Sequence, residues 1–313
     1  MNILLPTLVT PAMFGAGTTI PAVDAAAGEV EWVLGGSYVV GARRVWEGWI
    51  YECTKDAPAS TLVPGTGAAA ATWLRERPSN RMAPFDEYLY TKAEAVGELT
   101  YVLQPGFVTG LAIYAAEADR LQLWVKDEPD GVDLIDPIDQ DLWSQAYGEF
   151  EYLFGDLQRA TKHTLQGLPM RPNAEITIKL SRNNPAEKVA VGYIQPGQWR
   201  TLLSPLSSTE GGTEYGADVA PKSYSYYKRN NDGTYARIAG RRATNISASV
   251  QIGAAQAPAA KSLLDRILDI PVPIEASSLP RYSHISTVGF VTGSVTAENW
   301  ATARVNLKIE GNV

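Results

Sequence analysis

At 313 residues the chain is longer than one ordinary hydrophobic core and is expected to divide into two or three domains. Its 45% hydrophobic and 19% charged content excludes the intrinsically disordered class. A net charge of −7 argues against a nucleic-acid partner, because phosphate backbones repel such a chain unless it carries a local basic stripe.

The single cysteine, Cys53, rules out an intrachain disulfide and a cysteine-rich metal site, and it fits a chain made and assembled in a reducing cytoplasm. No run of about 18 apolar residues is present, so no membrane insertion is expected. Met1 to Phe14 is apolar but lacks Lys and Arg, and Pro6 and Pro11 interrupt it, so it does not read as a signal peptide.

In chain order the sequence reads as mainly β. Residues 1–28, with Pro6, Pro11 and Pro21, form an extended N-terminal arm that either lies on a protein surface or is a disordered leader. Residues 29–75 form a small three-stranded module, with strands around Trp32, over Arg44–Trp46 and over Trp49–Cys53, and with turns at Gly35-Gly36 and Glu47-Gly48. Residues 76–205 form a β-sandwich, jelly-roll-like, with strands at Leu99–Leu103, Phe107–Tyr114, Leu121–Lys126, Ala174–Leu180 and Val189–Ile194, the last ending at Pro196-Gly197. Ile176, Ile178 and Leu180 alternate with polar residues and should share one face.

Residues 206–313 form a C-terminal α+β domain with one helix. Ser223–Lys228 and Tyr235–Ile238 flank Asn230-Asn231-Asp232-Gly233, a hairpin turn. Thr244–Ile252 is a further strand. Ala257–Asp269 is an amphipathic helix with Leu263, Leu264, Ile267 and Leu268 on its apolar face, stopped by Pro271 and Pro273. Strands Ser286–Val291 and Ala303–Ile309 close the domain.

No nucleophile, phosphate-loop or metal motif stands out, and no cofactor is expected. His163 reads as a surface histidine and His284 as a residue near a strand start; neither is expected to be catalytic. Asp127 to Asp133 lacks the closing glutamate and alternate oxygen spacing of a calcium loop and reads as a solvated acidic turn. The best basic patch is Lys228, Arg229, Arg237, Arg241 and Arg242, expected to be a solvated or subunit-facing surface rather than a nucleic-acid site.

Within residues 32–73, Trp32, Tyr38-Val39-Val40-Gly41, Trp46-Glu47-Gly48, Tyr51-Glu52-Cys53 and Trp73 resemble, in order, the small chitin-binding modules found beside bacterial chitinases. The resemblance implies a twisted three-stranded sheet and, if sugar binding were kept, a glycan stacked on Trp46 or Trp49. Two positions depart from the pattern: Arg44 replaces an apolar residue, and Thr54-Lys55-Asp56 replaces an exposed aromatic pair. The competing reading is that Trp32, Tyr38, Tyr51 and Trp73 are simply the module's core.

The following stretch, Pro78-Ser79-Asn80-Arg81-Met82-Ala83-Pro84-Phe85-Asp86 with Thr91 shortly after, resembles bacteriophage virion proteins in which such a module precedes a galactose-binding-like jelly roll. Gly211-Gly212-Thr213-Glu214-Tyr215-Gly216 and the terminal Ile309-Glu310-Gly311 resemble the same group. In the residues themselves, Asn80 and Arg81 suit a rigid turn, Phe85 an anchor for the sandwich, and Asp86 a partner for Arg81.

These readings imply a non-catalytic structural subunit of a phage tail, at its tip, baseplate or head-to-tail region. Its partners would be copies of itself in a ring and other tail proteins. The alternatives are a receptor protein that binds host surface glycans and, with less support, a glycan hydrolase.

Overall fold

The alternating apolar residues become strands in the computed structural model, which describes all residues except 144–147, 156–158, 208–209, 278, 280 and 281, and omits the side chains of residues 151 and 152. The chain is mainly β. It divides into two compact units, Thr7–Pro196 and Met1–Pro6 together with Gly197–Val313. The sequence punctuation instead suggests boundaries after residues 28, 75 and 205. The difference arises because Asn2–Pro6 pairs along its whole length with Gly197–Thr201, which joins both segments to the C-terminal part.

In the first unit, Thr7–Pro196, a three-stranded antiparallel sheet is made from Arg43–Trp46, Trp49–Cys53 and Trp73–Pro78. The rest is a sandwich. One sheet has the order Glu98–Leu103, Glu175–Ser181, Arg120–Lys126, Ile138–Asp141. The other joins His163–Gln166, Gly110–Glu117 and the start of the Lys188–Thr201 strand, with Ala93–Val96 along that strand's first residues.

Both sheets feed one core. Leu99, Tyr101 and Leu103 meet Leu121, Leu123 and Val125 with Leu111, Ile113, Val189 and Val191. Ile176, Ile178 and Leu180 are fully buried while the residues between them are half-exposed, as their alternation requires. Each such side chain contributes about 1.5–3 kcal/mol by leaving water. The expected Phe107–Tyr114 strand begins later, at Gly110, and Phe107 is exposed.

The Lys188–Thr201 strand includes Pro196-Gly197, where the sequence suggests a stop. Proline removes an N–H donor, but the Pro196 carbonyl still accepts the Thr7 N–H at 3.0 Å, so the ladder loses only a donor there.

The second unit is built on an antiparallel sheet in the order Gly197–Thr201, Asn2–Pro6, Pro271–Glu275, Ser286–Ala297, Thr302–Gly311, Arg242–Gly253, Asp218–Ser223, with a separate two-stranded hairpin, Tyr226–Arg229 and Tyr235–Ile238. The expected N-terminal arm is thus an inner strand at Asn2–Pro6, with Ile3 and Leu4 fully buried. The helix Ala257–Arg266 lays Ala260, Leu263 and Leu264 on the sheet's core together with Ile267. It ends earlier than expected. Ile267 leaves helical geometry, Asp269 takes a φ of 62°, and Leu268 is left exposed rather than on the apolar face. A second short helix, Glu149–Phe154 in the first unit, was not legible in the sequence.

Gly197 lets the inner strand approach. A Cβ built there would stand 2.2 Å from the Leu5 carbonyl oxygen, whereas one built on Gly253, in the same sheet, would meet nothing within 4 Å. Gly197→Ala should therefore destabilise the second unit by about 1–3 kcal/mol and speed amide exchange at Ile3 and Leu4, while Gly253→Ala should be near neutral; equal melting temperatures for the two variants would contradict this account.

Candidate functional site

Three surfaces carry the residues singled out by the sequence. The first is the aromatic module. Trp32, Tyr38, Tyr51 and Trp73 are all buried and enclose Cys53, so they form the core of the three-stranded sheet. Tyr38 meets Trp73 edge-on at 5.1 Å, and its hydroxyl donates to the Val33 carbonyl at 2.7 Å. Gly41, at a φ of 83°, turns the chain so that its N–H reaches the Cys53 carbonyl at 2.7 Å.

Trp46 and Trp49 face each other across the turn Glu47-Gly48, whose two residues both have positive φ, 46° and 80°. That is the pattern of a type I′ hairpin turn, whose twist matches the strands it joins. Both tryptophans are half-buried. Trp46 presses its ring edge-to-face on Trp32 at 5.0 Å, and the Arg75 guanidinium sits 3.1 Å from the Trp49 ring centre. A sugar ring stacking on that face of Trp49 would first have to displace Arg75.

The second surface is the link at residues 80–91. Asn80 is a clamp: its side chain donates to Asp24 Oδ2 at 2.6 Å and to the Glu94 carbonyl at 3.0 Å, and accepts the Glu94 N–H at 2.9 Å. Glu29 accepts the backbone N–H of both Asn80 and Asp24. These bonds staple the chain before the module to the chain after it. The same residues line a cleft of about 740 Å³ with Thr19, Arg77, Lys92, Glu98 and Lys188, whose lining mixes four carboxylates with three cations and includes no aromatic ring.

Phe85 is edge-on to Tyr101 at 5.3 Å and to Phe14 at 5.4 Å, which sets it against the sandwich core. The expected Arg81–Asp86 pair does not form. The Arg81 guanidinium lies over Phe14 at 4.2 Å, and its carbonyl accepts the Tyr101 hydroxyl. Asp86 accepts instead from the Thr91 hydroxyl at 2.6 Å and the Tyr88 N–H at 2.8 Å. The aromatic contact holds Arg81 away from the carboxylate.

Among the other titratable groups, Asp119 is buried between Arg182 and Arg159. Burial alone would raise its pKa, but the Asn183 N–H and the two guanidiniums outweigh that and hold it below the usual carboxylate range. His163 is not the surface residue expected. It is half-buried in a paired strand, with Gln140 Nε2 2.8 Å from its Nδ1, and burial lowers its pKa. His284 is exposed. Asp127 to Asp133 is a turn closed by Asp127, whose carboxylate accepts the Val132 N–H.

The third surface is the basic hairpin of the second unit. Among the described residues Tyr226–Arg229 pairs with Tyr235–Ile238 alone, and all eight residues are exposed. The turn is closed by Gly233 at a φ of 85° and by Asp232 accepting the Thr234 N–H. The register puts Tyr227, Arg229, Tyr235 and Arg237 on one face, with Tyr227 and Tyr235 6.2 Å apart. The cations were legible in the sequence. So was their solvated placement; the exposure of the tyrosines beside them was not, because tyrosines resemble core residues.

No protein-family model and no curated protein matches the chain.

Burial raises Asp86 to a pKa of about 6, against the opposing pull of its Thr91 and Tyr88 hydrogen bonds. A carboxyl raised above its unfolded value favours folding when protonated, so its contribution is greatest below about pH 4 and is lost as pH rises through about 6. The melting temperature of Asp86→Asn relative to the parent should therefore improve between pH 5 and pH 7.5; a pH-independent difference would show that Asp86 ionises normally.

Proposed function

We propose that the chain is a non-catalytic structural subunit of a bacteriophage tail, at its tip, baseplate or head-to-tail region, repeated around a symmetry axis among other tail proteins. The observation that carries this reading is the basic hairpin. A two-stranded ribbon is marginal in water on its own, yet here Tyr226, Tyr227, Tyr235 and Ile238 are 57–67% exposed. Arg and Tyr are the residues that interfaces concentrate. Such a ribbon suits a subunit whose fold is completed by neighbours.

The ordered resemblance of residues 32–73, 77–91, 211–216 and 309–311 to phage virion proteins supports the tail as the place of assembly, and the single buried Cys53 suits assembly in the host cytoplasm. No helix among the described residues is long and apolar enough to cross a membrane.

The glycan-receptor reading rests on Trp46 and Trp49, which sit side by side at one end of the sheet and keep part of their surface in water. It requires Arg75 to move from Trp49, or the sugar to use Trp46 alone.

Gold-tagged antibody on purified particles tests the main reading. Label at the tail is the expected outcome, and protein found only in the lysate would refute it. Trp46→Ala tests the receptor reading: loss of binding to host-envelope glycans by a folded variant would support it, and unchanged binding would remove this site.

A further inference from the structure

The basic hairpin has a matching surface in the same sequence. Residues 222–242 carry six cations, Lys222, Lys228, Arg229, Arg237, Arg241 and Arg242, against one carboxylate, Asp232, a net +5. The whole chain is −7, so everything outside this segment carries −12. Residues 221–242 are exposed throughout except for half-buried Ser225. The neck of the hairpin is tight. A Cβ on Gly240 would stand 2.1 Å from the Tyr224 carbonyl oxygen, and Ser225 accepts the Gly240 N–H at 3.0 Å.

The complementary surface is the edge of the sandwich. Ile138–Asp141 is the outermost strand of the four-stranded sheet, and the chain leading into it is acidic. Residues 120–141 hold seven carboxylates and two cations, a net −5. Asp139 is committed to Arg120, which it meets through two hydrogen bonds. Asp130, Asp133, Asp136 and Asp141 are exposed.

We propose that the Arg/Tyr face of the hairpin docks on the acidic sandwich edge of a second copy of this chain. The inference rests on the oligomeric reading above and names the surfaces that would carry it. Three observations choose a second copy. The two segments are equal and opposite in charge. The guanidinium forks of Arg229 and Arg237 match carboxylates in shape as well as sign. The −12 carried by the rest of the chain repels nucleic acid, the other polyanion an Arg/Tyr ribbon suits. Donor and acceptor are different patches, so the contact builds a ring when it runs head-to-tail and the rotation closes, or a two-fold dimer when each copy's hairpin reaches the other's edge.

The test is charge reversal read by sedimentation velocity on the full chain. The parent should self-associate at low salt and dissociate as salt rises. The hairpin variant R229E/R237E and the edge variant D136R/D141R should each weaken self-association about tenfold or more. Combining all four substitutions in one chain should restore it. All substituted residues are exposed, and circular dichroism checks that each variant folds.

A parent that stays monomeric at every concentration and salt overturns the proposal, as does either variant associating like the parent. If R229E/R237E self-associates normally but loses binding to a single-stranded oligonucleotide, the hairpin is a nucleic-acid surface and the proposal fails. Gold label on the tail with a monomeric chain in solution refutes this inference alone. Charge-dependent self-association with no label on particles supports it and refutes the tail location alone.

Discussion

The second unit depends on a five-residue strand. Asn2–Pro6 fills the gap between Gly197–Thr201 on one side and the end of Pro271–Glu275 on the other, each about two hundred residues or more from it in sequence. Without it, two strands would present unpaired backbone edges, and the core around Val272 and Ile274 would lose Ile3 and Leu5. Contacts of such long range cost loop-closure entropy before they return any burial, so the sheet should close late in folding. The close passage at Gly197 is what that closure requires of the sequence.

How much of this was legible follows from where local pattern and tertiary demand agree. The alternation in residues 175–181 has one interpretation as a half-buried strand, and the structure gives it. The hairpin turns at Glu47-Gly48 and Asp232-Gly233 were readable because positive φ has few residue choices. Pro196-Gly197 misled because the same pair that ends most strands here continues one, rescued by an outside donor from Thr7 and an absent side chain. The Arg81–Asp86 pairing misled in another way. Opposite charges five residues apart suggest a bridge, but Phe14, far away in sequence, offers Arg81 an aromatic face and leaves Asp86 to Thr91.

The aromatic module shows why composition alone could not separate a binding platform from a core. Trp, Tyr and Gly at these spacings serve either purpose, since the same flat ring stacks on a sugar or on another ring. Burial divides the set. Trp32, Tyr38, Tyr51 and Trp73 are used up inside a module too small to close its core with aliphatic residues. Only Trp46 and Trp49 keep surface in water, and even they are partly engaged by Trp32 and Arg75. In a sheet of three strands, aromatics needed for folding leave few to spare for a ligand.

The charge distribution bears on assembly in a similar way. A chain of net −7 resists bringing copies of itself together, and the repulsion grows with each subunit added to a ring. In the proposed contact, gathering six cations onto one exposed ribbon and leaving the body at a net −12 would turn part of that repulsion into directed attraction, because the ribbon of one copy would meet a body of opposite net charge in another. The steering acts mainly on encounter and register. The tyrosines on the same face of the ribbon add the apolar area that charge alone does not supply. A surface of this kind would hold subunits in order, while staples such as Asn80 and Asp119 hold together the fold of each copy.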